Sequence, residues 1–182
     1  MFTYKMNDEL SLKLMEVRDA EDVFELTNKS RTYLREWLPW LDTTTKLEDT
    51  ISFIKSSLTG FAENRSLNTA ILFKGKMVGV AGYNEINWSK KTAYIGYWLG
   101  EEFQGKGIMT EVAKALTDYA FNELNLNKVE IRAAAGNKKS RSIPERLNFV
   151  NEGCIRQAEW LYDHYVDHVV YGILAEEWKK AK

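Results

Sequence analysis

Residues 97–111 join an apolar strand to a helical segment through a short turn that contains two glycines, Gly105 and Gly107. Because glycine has no Cβ, this turn can adopt a left-handed backbone and lie close to a bound group. The first N–H groups of the next helix have no partners inside that helix, and the positive end of the helix dipole lies there. Lys106 adds a positive charge. The pattern predicts a strand, a turn and a helix in sequence, with a turn that binds phosphate.

Three phosphate-binding patterns can be compared with this turn. The chain lacks the G-x-x-x-x-G-K-[ST] pattern of the P-loop. A dinucleotide-binding turn needs a small residue where Thr110 stands and an acid at the end of the next strand, whereas Glu130 falls inside that strand. Residues 104–109 instead resemble the [QR]-x-x-G-x-[GA] turn of the GNAT acetyltransferases, with Met109 in place of the final small residue.

Hydrophobic periodicity gives the order of the elements. The mixed order of strands and helices predicts an α+β (mixed α/β) fold rather than a doubly wound sheet. The chain has no repeat and no Pro- or Ser-rich linker, so we expect a single domain over residues 1–182. The predicted strands are 10–17, 68–73, 77–88, 92–99, 128–134, 153–159 and 166–174, and the predicted helices are 19–27, 31–41 broken at Pro39, 47–62, the helix after the glycine turn, and 137–147 interrupted by Pro144.

Four further strings, in order along the chain, resemble the RimJ/RimL branch of the GNAT acetyltransferases. Residues 31–40 are similar to its N-x-x-x-L-x-x-W-L-P-W region, and residues 107–112 to its G-x-M-x-E-A helix start. Residues 137–140 resemble its N-x-x-S string, and residues 147–153 its L-G-F-x-x-E-G string, with Asn148 where glycine is usual. The resemblance covers nearly the whole chain. It implies a GNAT N-acetyltransferase domain with a mostly antiparallel sheet of six to seven strands, splayed in the middle and flanked by helices.

The resemblance also implies that acetyl-CoA is the cosubstrate and that an amine attacks it directly. The pyrophosphate is expected on the backbone of the turn, and the pantetheine arm beside the strand that ends there. A backbone N–H near Leu99 would face the thioester oxygen, a role worth about 3 kcal/mol in comparable acyl transfers. Asn137 would bind the arm from the other side, or would only cap a helix. The expected cofactor-binding residues are Trp98, Leu99, Gln104, Gly105, Lys106, Gly107, Ile108, Met109 and Asn137.

Proton transfer needs two further groups. The family pattern places Ser140 near the CoA sulfur, where its hydroxyl would protonate the leaving thiolate; Ser142 and Tyr162 are the substitutes. Glu159 is the candidate base and would act through water. The alternatives without a chemical role are that Ser140 is only a residue of the first helical turn and that Glu159 is an ordinary surface carboxylate.

The acceptor is the least determined part of the reaction. Trp37 and Trp40, beside Pro39, are expected to form an apolar rim, and Asp163 and Asp167 to attract a cationic amine. We expect the N-terminal α-amine of a protein, a ribosomal protein being the class that the resemblance implies. The alternatives are a small amine such as a polyamine, amino acid or antibiotic, and a non-catalytic acyl-CoA-binding sensor.

Composition limits the remaining functions. The 25 Lys and Arg balance 26 Asp and Glu, so no direct nucleic-acid partner is expected. The polar N-terminal sequence, the lack of a long apolar run and a single cysteine favour a cytoplasmic protein without a membrane partner, and homo-oligomer formation stays open. We expect no metal, because His164 and His168 fall at a turn entering a strand and should be solvent-exposed. Cys154 and most of the six tryptophans are expected in the core.

Overall fold

The computed structural model describes residues 2–180, which form six α-helices and eight strands. The helices are α1 (Ala20–Lys29), α2 (Arg31–Arg35), α3 (Leu47–Ala62), α4 (Ile108–Asn122), α5 (Lys138–Arg146) and α6 (Ala175–Lys180). The strands are β1 (Thr3–Lys5), β2 (Leu10–Leu14), β3 (Leu67–Phe73), β4 (Lys76–Asn87), β5 (Thr92–Leu99), β6 (Lys128–Ala134), β7 (Val150–Leu161) and β8 (His164–Leu174).

The strands form a sheet in the order β1-β2-β3-β4-β5-β6-β8-β7. The pairs β1–β2, β2–β3, β6–β8 and β7–β8 are antiparallel, and β5 and β6 pair in parallel. This architecture confirms the predicted mixed fold with a mostly antiparallel sheet. The sheet has eight strands rather than six to seven because the short, exposed β1 pairs with β2. The sequence pattern of β1 does not predict a strand.

The chain divides into two compact units, and the first contains residues up to Gly82 together with Tyr97–Ile108. Its core lies between α1, α3 and the strands β3 and β4, where Ile54 and Ala70 are fully buried. Lys13 is also buried and pairs with Asp19 at 2.5 Å, so its charge is compensated. Further side chains that build or border this core are Met15, Ala20, Val23, Val80, Leu47, Ile51, Leu58, Leu72, Met77 and Trp98.

The second unit contains Tyr83–Gly96 and the chain from Met109 onward. Alternate residues of β6 and β8, such as Ile131 and Tyr171, are buried on one face of the sheet. Tyr83 donates a hydrogen bond from its hydroxyl to the Leu116 carbonyl of α4 (2.5 Å). Trp178 of α6 is buried as well. Residues on the opposite face of β6 are charged, so this face is available for polar chemistry.

The parallel ladder between β5 and β6 runs from the pair Thr92 and Lys128 to the pair Ile95 and Ile131. Both strands continue past that last pair, β5 to Leu99 and β6 to Ala134. The end of β5 then leads through a 3-10 turn, Glu101–Phe103, to the glycine turn.

Several boundaries differ from those expected. Strand β2, predicted over residues 10–17, ends at Leu14 because a 3-10 turn over Val17–Asp19 follows it. Helix α2, predicted over residues 31–41, ends at Arg35, before Pro39. Helix α5 continues through Pro144, which does not interrupt it. Strands β7 and β8 extend towards each other into a tight hairpin. No helix formed by residues 2–180 is long and apolar enough to cross a membrane.

The expected core positions of Cys154 and most tryptophans are wrong. Cys154 is exposed because β7 is the edge strand of the sheet and most of its side chains face solvent. Among the tryptophans Trp178 is buried, whereas Trp88 and Trp160 are exposed. The half-buried ones are Trp37, Trp40 and Trp98.

Candidate active site

The glycine turn has the backbone that a phosphate cradle requires. Gly105 and Gly107 have φ values of +73° and +74°, in the left-handed region that favours glycine. A Cβ placed on either residue would meet no atom within 4 Å, so the space beside the turn is open. Helix α4 begins at Ile108, directly after Gly107, and its first N–H groups are donors for an anion. The turn therefore fits a pyrophosphate group.

Neighbouring residues hold the segment that leads into this turn. The hydroxyl of the buried Ser30 accepts a hydrogen bond from the Glu101 N–H (3.0 Å), and the Gly100 N–H donates to the Val78 carbonyl (2.8 Å). Burial raises the pKa of Tyr33, and a hydrogen bond with Gln104 offsets part of that rise. Lys106 extends over the ring of Phe103, with its Nζ 5.2 Å from the ring centroid.

Trp40, one of the two tryptophans proposed for the acceptor rim, packs against Trp98 near the end of β5. The rings of Trp40 and Trp98 lie 6.1 Å apart at an angle of 55°. Trp98 borders the core of the first unit. Trp37 and Trp40 are half-buried, so each has a packed side and an accessible side. Bidentate pairing of Arg35 with Asp42, at 2.8 Å for each bond, stabilises the segment that carries them.

The start of α5 contains Asn137 and Ser140, as expected. The Asn137 side chain accepts a hydrogen bond from the Ser140 N–H (3.0 Å), so Asn137 caps this helix. The cap uses the side-chain oxygen of Asn137, Oδ1. The contact proposed between the Asn137 side-chain amide and the pantetheine arm stays a separate prediction. Ser142, the substitute acid, donates its hydroxyl hydrogen to the Lys139 carbonyl (2.8 Å).

Glu159 lies near the end of β7 on the polar face of the second unit. Its Oε2 is 3.3 Å from Nε2 of His168, whose side chain is only 16% exposed. The expectation that His168 is solvent-exposed is therefore wrong, whereas His164 is exposed and lies 2.6 Å from Asp163. Burial raises the pKa of Tyr94 on the same face, and Arg132 offsets part of that rise. Strand alternation along β6 and β8 was the signal that could have placed His168 beside these residues.

The two aspartates assigned to the acceptor have different surroundings. Asp163 is exposed in the β7–β8 turn. Asp167 accepts a hydrogen bond at Oδ1 from the Gln157 N–H (2.7 Å), where β7 bulges. Asp167 therefore holds the local backbone in addition to any effect of its charge. Among the side chains of residues 2–180, no group of three or more His, Cys, Asp or Glu is arranged to hold a metal ion.

Comparisons with known proteins place this geometry in a family. The pattern of the Acetyltransferase (GNAT) domain matches residues 9–150. The ribosomal-protein-serine acetyltransferase of Escherichia coli (strain K12) is 30% identical over 169 residues, which cover 93% of this chain and 94% of that protein.

Two solved structures share the fold, one in complex with coenzyme A and the other with acetyl-CoA. RimL, the ribosomal L7/L12 alpha-N-protein acetyltransferase, in complex with coenzyme A, has a TM-score of 0.90 and 28% identity, and the match covers 95% of this chain and 98% of RimL. The microcin C7 self-immunity acetyltransferase MccE, in complex with acetyl-CoA and AMP, has a TM-score of 0.88 and 32% identity, covering 93% of this chain and 94% of MccE. The chain therefore belongs to the GNAT acetyltransferase family, as an acetyl-CoA-dependent N-acetyltransferase of its RimJ/RimL-like branch.

Proposed function

We propose that the acceptor of this N-acetyltransferase is the N-terminal α-amine of a protein, with ribosomal proteins as the first class to test. The similarity to the ribosomal-protein-serine acetyltransferase, over 93% of this chain, carries the proposal. We further propose that the whole chain acts as a single cytoplasmic domain.

The chemistry of an α-amine suits a weak base. An α-amine has a pKa of about 7.7 to 8.0 and a lysine side chain about 10.4, so deprotonating the α-amine near neutral pH costs roughly 3.5 kcal/mol less. A carboxylate acting through water is sufficient for that step. Glu159 is the proposed base.

The proposed reaction is a direct transfer. The protonated acceptor amine first gives a proton through water to Glu159, and its neutral nitrogen attacks the thioester carbonyl. The carbon–sulfur bond breaks and the thiolate takes a proton from the Ser140 hydroxyl. Ser140 regains a proton, through water, from the nitrogen as it becomes an amide. We propose that a backbone N–H near Leu99 donates to the thioester oxygen, where the charge develops.

The remaining proposed contacts divide between cosubstrate and acceptor. The open, left-handed turn supports pyrophosphate binding by the backbone from Gln104 to Met109, with Lys106 adding charge. Trp98 and Asn137 are proposed contacts of the pantetheine arm. Half-exposed faces of Trp37 and Trp40 support a role with the acceptor, and the carboxylates of Asp163 and Asp167 would attract its positive charge.

The test is a comparison of acceptors. Acetyl-CoA is incubated with the protein and synthetic peptides that carry the N-terminal sequences of ribosomal proteins, and thiol release and peptide mass are measured. We expect thiol release and a single acetyl group on the α-amine. Matched peptides with a blocked N-terminus and a free lysine should not react. Faster transfer to spermidine or free amino acids would contradict the proposal, as would CoA binding without transfer.

A further inference from the structure

The polar face of the second unit brings together charged groups from three neighbouring strands. The guanidinium carbon of Arg132 on β6 lies 5.0 Å from the ring centroid of Tyr94 on β5. Arg132 also donates a hydrogen bond to the carboxylate of Glu130 (3.0 Å). Ala134, two residues after Arg132, is paired with His168 of β8. Because side chains alternate along a strand, Arg132 and His168 lie on the same face of the sheet.

An irregularity in β7 brings Glu159 to His168. Ile155 is paired with His168 and Glu159 with Val166, so residues 156–158 of β7 stand opposite a single residue of β8, Asp167. Between these two pairs, β7 contains two more residues than β8. Because side chains alternate with a period of two, this insertion leaves Glu159 on the same face of the sheet as His168.

Asp167 fixes this irregularity. Gln157 has a φ of +50°, an uncommon value for a residue other than glycine, and its N–H donates to Asp167 Oδ1 (2.7 Å). A backbone in this region persists only where its surroundings hold it. The bulge is therefore a defined part of the hairpin.

The contact between Glu159 and His168 is partly shielded from water. The side chains are 30% and 16% exposed, and Nε2 and Oε2 are 3.3 Å apart. At this separation, an Nε2–H directed at one carboxylate oxygen would limit rotation of the carboxyl group and so set the direction of its other oxygen. Such alignment matters because a displacement of about 1 Å at a reacting group can cost 10²-fold in rate.

We propose that His168 is a positioning residue that holds the Glu159 carboxylate in the orientation needed to remove the acceptor proton. The inference rests on the base role proposed for Glu159. His168 takes no part in the proton transfer: the amine proton moves through water to Glu159 and then to solvent. The charged and titratable groups on this face that accompany the pair are Arg132, Glu130, Lys128, Glu152 and Tyr94.

The test measures kcat with an acceptor peptide for three variants in which His168 is replaced by Ala, Asn or Gln. The Gln amide nitrogen reaches the position of Nε2, whereas the Asn amide nitrogen reaches only that of Nδ1. We expect His168→Ala and His168→Asn to lower kcat roughly tenfold to a hundredfold with no change in the KM for acetyl-CoA. His168→Gln should restore kcat to within about threefold of the unsubstituted protein. A loss of kcat that is equal for Gln and Asn would overturn the proposal.

A double-mutant cycle separates positioning from a general loss of structure. In the Glu159→Gln background, His168→Ala should cause no further loss of kcat, because the group that it orients is already gone. Additive losses would overturn the inference. The chain has two histidines, so His164→Ala, measured at saturating peptide, is the matched control and should keep full kcat.

The failure of the inference and the failure of the proposed function give different results. The inference fails if the unsubstituted protein is active and Glu159→Gln is impaired, but His168→Ala keeps full kcat. The base role in the proposed function fails if Glu159→Gln keeps full kcat on a verified acceptor peptide, and the inference falls with it. Ring signals in NMR spectra give a readout besides activity, since Glu159→Gln should shift the His168 signals and leave those of His164 in place.

Discussion

At the level of single residues, Gly107 has two properties that one substitution changes together, its backbone conformation and the open space beside it. Its φ of +74° makes any other residue strained, and its Cβ position opens into the space where a phosphate would lie. We expect Gly107→Val to lower the affinity for CoA at least tenfold and the stability by about 1–2 kcal/mol. Calorimetric titration with CoA and thermal unfolding measure the two effects.

Gly75 provides the control for this substitution. It lies in the turn between β3 and β4 with a φ of +76°, and a Cβ there also meets no atom within 4 Å. Gly75→Val should therefore lose a similar amount of stability and keep full CoA affinity. Equal CoA affinity in the two variants would contradict the assignment of the turn at Gly107 to phosphate binding.

Ser140 can lose its hydroxyl without losing its place in the helix. The helix cap uses the backbone N–H of Ser140, which Ser140→Ala retains. If the hydroxyl protonates the thiolate, this variant should lower kcat about 10²-fold with little change in CoA affinity. Thiol release at saturating acetyl-CoA and peptide is the measurement. Should Ser142→Ala show that loss in place of Ser140→Ala, the acid role would belong to Ser142.

At the level of elements, helix α5 combines a structural cap with a proposed ligand contact at Asn137. Asn137→Ala removes the cap and should lower stability by about 1 kcal/mol, whereas Asn137→Ser keeps a capping oxygen. If the amide group binds the pantetheine arm, both variants should bind CoA more weakly. Thermal unfolding and calorimetric titration distinguish the roles, because Asn137→Ser with normal CoA affinity would leave only the cap.

The elements also show which signals in a sequence are local. The spacing of Ile51, Ile54 and Leu58 predicts α3 over residues 47–62, and the structure confirms it, because that periodicity belongs to the helix itself. Strand β1 has three exposed residues and exists through its pairing with β2, so no local pattern announces it. The bulge in β7 likewise depends on a hydrogen bond to Asp167 on another strand.

At the level of the whole molecule, the charges on the sheet make stability depend on pH. Burial raises the pKa of Glu130, but hydrogen bonds from Arg132 and Lys128, together with their positive charges, outweigh burial and bring the net pKa below its ordinary value. A carboxyl with a lowered pKa in the folded state contributes stability above its unfolded value of about 4.3, and that contribution is lost as the pH falls through the folded pKa.

This linkage predicts the effect of one substitution. Unfolding free energy, measured by urea titration from pH 7 to pH 3, should fall less steeply on acidification in Glu130→Gln than in the unsubstituted protein. Glu85→Gln, which changes an exposed glutamate on β4, is the control and should leave the slope unchanged. A Glu130→Gln variant with an unchanged acid slope would contradict the linkage.

The sequence by itself determined the family, the mixed fold and the glycine turn, because these depend on periodicity and on residue types at fixed spacing within short segments. Only the tertiary structure decided that Cys154 is exposed and that Glu159 meets His168. The exposure of Cys154 follows from the edge position of β7. The contact between Glu159 and His168 follows from the way β7 and β8 pair around a bulge. Both facts depend on which strands become neighbours, and strand neighbours are chosen by the packing of the whole sheet.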